Sequence, residues 1–102
     1  MIFLDKKEKD DFFKRIFNLV SAIPKGRVLT YGSIAVLCGM PRHSRMVGKA
    51  LGLAPNGTPC HRVVNHKGAT AIGWPEQTSL LKKEGVSFKE NGCVDLKKHL
   101  WR

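Results

Sequence analysis

The sequence predicts a mostly α, single-domain protein with short extended segments, built around a helix-turn-helix. Residues 11–23 place apolar side chains at helical spacing. Two further helical stretches, 31–38 and 43–51, flank the short turn Gly39-Met40-Pro41-Arg42, and helix, glycine-containing turn, helix is the pattern of that motif. The 102 residues match the usual size of one domain and leave no room for two. Residues 1–102 are therefore taken as one unit, with 1–10 as a loose N-terminal extension.

Each element has its own signal. In the first helix Phe12, Phe13, Ile16, Phe17, Val20 and Ile23 recur every three or four residues, with Lys14, Arg15 and Asn18 between them. Pro24, Lys25 and Gly26 punctuate it, and residues 27–29 make a brief extended segment before Thr30, a helix N-cap. The second helix is expected to bury Ile34, Ala35, Leu37 and Cys38, and the third Val47, Ala50 and Leu51. That stripe leaves Arg42, Arg45 and Lys49 pointing away from the core, as on a recognition helix facing nucleic acid. Residues 52–59 are a loop by composition and deliver Cys60-His61-Arg62-Val63-Val64, read as extended, directly after Pro59. Residues 65–75 are again loop-like, and Pro75 opens a helix carrying Leu80 and Leu81 that ends near Glu84-Gly85. Beyond it Val86, Phe88, Val94 and Leu96 supply apolar contacts, and Trp101 packs the tail down.

Charge narrows the partner class. With 18 Lys+Arg against 8 Asp+Glu the net charge is +10, yet 42% of residues are hydrophobic, a composition that builds a globule. After Asp11 the next carboxylate is Glu76, and the interval carries Lys14, Arg15, Lys25, Arg27, Arg42, Arg45, Lys49, Arg62 and Lys67. A one-signed basic surface attracts a phosphate backbone through counterion release, so nucleic acid is the leading partner, with solubility by net charge as the plainer alternative. No apolar run approaches the roughly 20 residues that cross a bilayer, so no membrane partner is expected. The three cysteines, Cys38, Cys60 and Cys93, cannot all pair, and with no secretory leader a reducing cytoplasm is the expected location.

Cysteine chemistry is the next signal. A thiol beside an imidazole becomes a nucleophile only if something stabilises its thiolate, and His61 is positioned to do so for Cys60. Neighbours on an extended segment point to opposite sides, so a bridging water is the expected geometry. The competing reading is that Cys60 is simply a small buried apolar residue. No metal site or cofactor is expected: no two cysteines lie two to four residues apart, and of His43, His61, His66 and His99 only His61 and His66 approach ligand spacing.

The run Pro59-Cys60-His61-Arg62-Val63-Val64 resembles the active-site signature of the methylated-DNA-protein-cysteine methyltransferases, which move alkyl groups from guanine O6 onto their own cysteine. The resemblance extends through Pro24-Lys25-Gly26-Arg27-Val28, Thr30-Tyr31-Gly32, Ser44-Arg45-Met46-Val47-Gly48 and Glu84-Gly85. It implies a winged helix-turn-helix that enters the minor groove of duplex DNA and rotates an O6-alkylguanine into a pocket. Arg45 matches the intercalating arginine and Tyr31 the tyrosine that turns the nucleotide. Cys60 matches the alkyl acceptor, and His61 and Glu84 match its water-linked relay. Arg42, Arg45 and Lys49 are then expected on DNA, and Tyr31, Pro59, Val63 and Trp74 around the flipped base.

Three departures qualify the match. There is no room for the N-terminal domain that many members carry, Ala54 stands where a hinge asparagine is usual, and the pocket loop 68–75 is compact. These features resemble the alkyltransferase-like proteins, relatives that bind alkylated guanine without transfer and recruit nucleotide excision repair proteins, and that usually carry tryptophan where this chain has Cys60. The first expectation is therefore a DNA-repair enzyme, acting as a monomer, that flips O6-alkylguanine and transfers the alkyl group once and irreversibly to Cys60; the alternative is non-enzymatic lesion sensing.

Overall fold

A computed structural model describes residues 4–102 of the protein. Its elements run α1 (Lys6–Ala22), β1 (Leu29–Thr30), α2 (Tyr31–Leu37), α3 (Ser44–Gly52), a 3-10 turn (Cys60–Arg62), β2 (Val63–Val64), α4 (Glu76–Lys83) and α5 (Leu96–His99). The mostly α class expected from the sequence is what the described residues show. None of their helices is long and apolar enough to cross a membrane.

α1 begins five residues before the periodic stretch, so Lys6 to Asp10 are helical where a loose extension was expected; residues 1–3 lie outside the described residues. The cause is local: the Asp5 side chain accepts from the Glu8 amide at 2.8 Å while Glu8 reaches back to the Asp5 amide at 3.4 Å, a capping box that supports a polar first turn. Phe12, Ile16, Val20 and Ile23 are fully buried, and Phe13 and Phe17 flank them half-buried.

Thr30 caps α2 as its position in the sequence suggests. Its hydroxyl accepts from the Ser33 amide at 3.1 Å and the Ser33 hydroxyl accepts from the Thr30 amide at 2.9 Å. α2 buries Ile34 and Ala35, with Cys38 beneath them, but Leu37 is 63% exposed, contrary to expectation. Ile34, Ala35 and Cys38 sit one and four positions apart on one helical stripe, and Leu37 shares the outward side with Val36. α3 starts one residue later than expected, after His43, whose ring stands edge-on to Phe12 at 6.2 Å, and it buries Val47 and Ala50.

β1 and β2 pair in parallel, Leu29 with Val63 and Thr30 with Val64. This two-residue ladder sets the geometry of everything functional, because β1 runs directly into α2 at Tyr31 while β2 emerges from the turn that carries Cys60. A second, smaller cluster of Val28, Val64, Leu81, Val86 and Val94 lies across the ladder, closed by an antiparallel bridge between Phe88 and Val94. α5 has no periodic signal long enough to read in sequence. It returns the chain to Val28, whose amide donates to His99 O and whose carbonyl accepts from Trp101, both at 2.9 Å. The His99 ring fastens the same corner, with Nδ1 at 3.0 Å from Gly26 O and Nε2 accepting from the Ser87 amide at 3.0 Å.

Gly68 is where the second cluster tolerates no side chain. Its φ is +88°, and a Cβ there would stand 2.6 Å from Val94 O. Gly68→Ala is therefore expected to cost about 2 kcal/mol or more, from the left-handed backbone and the displaced Val94 carbonyl together. Urea unfolding of the two proteins side by side checks this.

Candidate lesion site and DNA face

Pro59, with φ −78°, starts the 3-10 turn, and the Arg62 amide closes it on Pro59 O at 3.0 Å. This corrects the extended reading of Cys60-His61-Arg62: side chains there do not alternate but fan out by about a third of a turn per residue. Cys60 consequently faces one hollow while His61 and Arg62 both reach Glu84, the C-terminal cap of α4.

Glu84 is the electrostatic centre of this region. Arg62 grips it with both prongs, Nε to Oε1 at 2.9 Å and Nη2 to Oε2 at 2.7 Å, and sends Nη1 to Ile23 O at 2.7 Å. His61 Nε2 reaches the shared Oε2 at 2.9 Å. The Arg62 guanidinium is the main reason that the Glu84 carboxyl is held down to about 2, with His61 adding to it against the opposing effect of burial. A carboxylate only accepts, so His61 Nε2 carries the proton of this bond, and in the corresponding neutral tautomer Nδ1 is the ring's acceptor. His61 and Glu84 are paired; Arg62, which the sequence places in the signature run without a role of its own, is the residue that organises the pair.

Cys60 shows a different environment. Its Sγ donates a long bond to Leu51 O at 3.8 Å, and burial raises the thiol above its ordinary value, with a backbone hydrogen bond partly offsetting the rise. Burial thus disfavours the thiolate, and the thiol's hydrogen bond runs to Leu51 and not to His61. The neighbouring Tyr31 hydroxyl is also raised, first by burial and then by the proximity of Cys60, so it remains a donor.

Two hollows meet at Tyr31. A recess of about 190 Å³ is lined by Tyr31, Leu51, Gly52, Cys60, Ala71, Trp74 and Gln77. That volume lies below the roughly 300–1,000 Å³ of drug-sized sites, so the recess takes one compact group. A groove of about 410 Å³ runs along the start of α3, with Tyr31, Arg45, Gly48 and His66 in its walls. Tyr31 and Trp74 therefore stand where expected. Val63 does not: it is a ladder residue, 1% exposed, that joins the core cluster containing the buried stripe of α1. Pro59 shapes the turn and is not among the residues lining the recess. Leu51, Gly52, Ala71 and Gln77 were missed, because nothing in their local sequence marks them as neighbours of Cys60.

On the outer face Arg45 borders the groove, and Lys49 is exposed one turn further along α3. Arg42 is exposed too, but it borders a separate hollow with Met40, Pro41 and Glu8 rather than the groove. No group of three or more His, Cys, Asp or Glu residues among the described residues is placed to hold a metal ion.

Comparison with known proteins gives the family and the fold. Residues 11–86 match the family model described as 6-O-methylguanine DNA methyltransferase, DNA binding domain. The chain is 42% identical to the DNA base-flipping protein of Escherichia coli over 103 residues, covering 95% of this chain and 80% of that one. It is 34% identical to alkyltransferase-like protein 1 of Schizosaccharomyces pombe, over 91% of this chain and 96% of that one. The crystal structure of that yeast protein with damaged DNA containing O6-carboxymethylguanine superposes with a TM-score of 0.81 at 32% identity, over 91% of this chain and 96% of that one.

The Glu84 environment has a measurable signature. Its carboxyl sits at about 2 in the folded protein, below the roughly 4.3 of an unfolded glutamate, so its stabilising contribution is complete above the latter value and lost as pH falls through the former. Glu84→Gln is expected to lower stability at neutral pH and to flatten the decline between about pH 4.3 and 2, as read from urea midpoints across that range.

Proposed function

The chain belongs to the 6-O-methylguanine DNA methyltransferase family through its DNA-binding domain, and from that membership we propose that it binds O6-alkylguanine in DNA by base flipping, without transferring the alkyl group. The observation that carries this reading is a compact recess next to the Arg45 groove, with Tyr31 lining both hollows and the Cys60 thiol hydrogen-bonded to Leu51 O and not to His61.

Physical requirements fit the arrangement. A lesion on a base edge becomes accessible only when the base leaves the stack, at a cost of a few kcal/mol. In this reading the protein approaches the minor groove as a monomer. Arg45 enters the stack to replace the lost contact, and Tyr31 steers the nucleotide from groove to recess. Trp74 covers the flipped base, while Lys49 and Arg42 hold phosphates on either side. The yeast relative's complex with O6-carboxymethylguanine and the base-flipping name of the Escherichia coli relative support a guanine lesion as the ligand. Recognition without repair requires a second protein to finish the work, so excision-repair proteins are the partners this role calls for.

Alkyl transfer is the second reading, and the His61–Glu84 pair favours it. In that case Cys60 loses its proton through water to His61 Nδ1 and its sulfur attacks the alkyl carbon. The S–C bond forms as the C–O6 bond breaks, and guanine leaves after taking up a proton. The resulting thioether cannot be reused.

Intact-protein mass after incubation with a duplex containing one O6-methylguanine separates the two. Unchanged mass, together with tighter binding to that duplex than to its undamaged twin, is expected; a methyl on Cys60 overturns the non-transfer reading. Cys60→Ala is expected to keep the lesion preference. Arg45→Ala is expected to weaken binding to damaged and plain duplex alike by about tenfold, measured by fluorescence anisotropy at fixed salt.

A further inference from the structure

We infer that Gln77 is the positioning residue that sets the width of the lesion recess, an inference that rests on the binding reading above. Gln77 is 1% exposed and is the one buried polar residue in the described core. Its amide is fully committed: Oε1 accepts from the Ala71 amide at 2.6 Å, and Nε2 donates to Val63 O at 2.8 Å and to His61 O at 3.1 Å. A backbone N–H can only donate and a carbonyl can only accept, so the orientation of the amide is unique.

These three partners belong to two separate segments that border the recess. Ala71 and Trp74 line it from the loop before α4, whereas Cys60 lines it from the turn that His61 belongs to and Val63 follows. Among the described residues, no other hydrogen bond links residues 70–75 to the Cys60 turn; the loop's remaining bonds, such as Trp74 to Ala71 O at 3.4 Å, stay within it and the start of α4. Burying an amide costs free energy that an apolar side chain in the same place would not. The three hydrogen bonds offset that cost, and in making them Gln77 ties the loop before α4 to the Cys60 turn. A hydrogen-bond bridge of this kind keeps the recess narrow, and a narrow recess discriminates by the size of the O6 substituent.

The test uses the full chain and duplexes that are identical except for one guanine, which is plain, O6-methyl or O6-benzyl. Gln77→Met keeps the length and burial of the side chain while leaving Ala71 N–H and both carbonyls unpaired. Its preference for O6-methylguanine over plain duplex is expected to fall about tenfold. Affinity for plain duplex should stay within roughly twofold of the parent, whereas the ratio of O6-methyl to O6-benzyl affinity is expected to fall by a factor similar to that of the methyl preference. Ala71→Pro removes the same bond from the exposed loop and is expected to give the same pattern, deciding the matter if Gln77→Met fails to fold. Equal losses on methyl and benzyl duplexes, parallel loss on plain duplex, or an unchanged methyl preference each overturn the positioning role. If the parent protein itself does not distinguish damaged from plain duplex, the binding reading fails first and the width role falls with it.

Discussion

The bidentate grip of Arg62 on Glu84 is the interaction on which the site depends. One guanidinium ties the end of α1 through Ile23 O, the Cys60 turn through its own backbone, and the end of α4 through the carboxylate. A partly buried ion pair repays its desolvation only when geometry is good and the remaining lone pairs are used, and here both carboxylate oxygens are engaged, one of them twice. Removing either member strands the other charge in a place that water reaches poorly.

The second constraint is the parallel ladder of β1 and β2. It is only two residues long, yet it places the start of α2 beside the exit of the Cys60 turn, so Tyr31 borders both groove and recess. Extended DNA on the outer face and a single group in the interior can thus be handled by one side chain. Arg45 lines the groove, whereas the residues lining the recess carry no charged side chain, and burial raises both the thiol and the phenol there.

Much of this was legible in the sequence, and the misses have physical reasons. The buried stripe of α1, the Thr30 cap and the stop of α4 at Glu84-Gly85 follow from periodicity and capping, which are local. Leu37 was misassigned because a seven-residue helix offers too few turns to fix its apolar face. The Cys60 turn was misread as a strand because one residue, Pro59, tips the balance between extended and 3-10 backbone. Gln77 and Arg62 were invisible as site residues because their partners lie between 6 and 39 positions away and all but Ala71 at least 14, separations that no local pattern reports.

The closing of the chain on Val28 bears on how the protein forms during synthesis. Val28 is wholly buried, but its amide and carbonyl find their partners only at His99 and Trp101, some seventy residues later. Until the tail emerges from the ribosome, that stretch of backbone has two unsatisfied polar groups facing what will become the interior. The helical half, held by local contacts, can assemble first; the ladder that aligns Tyr31 with Cys60 gains its flanking support only when the last residues dock. A nascent chain therefore holds the DNA-facing helices before it holds a finished recess.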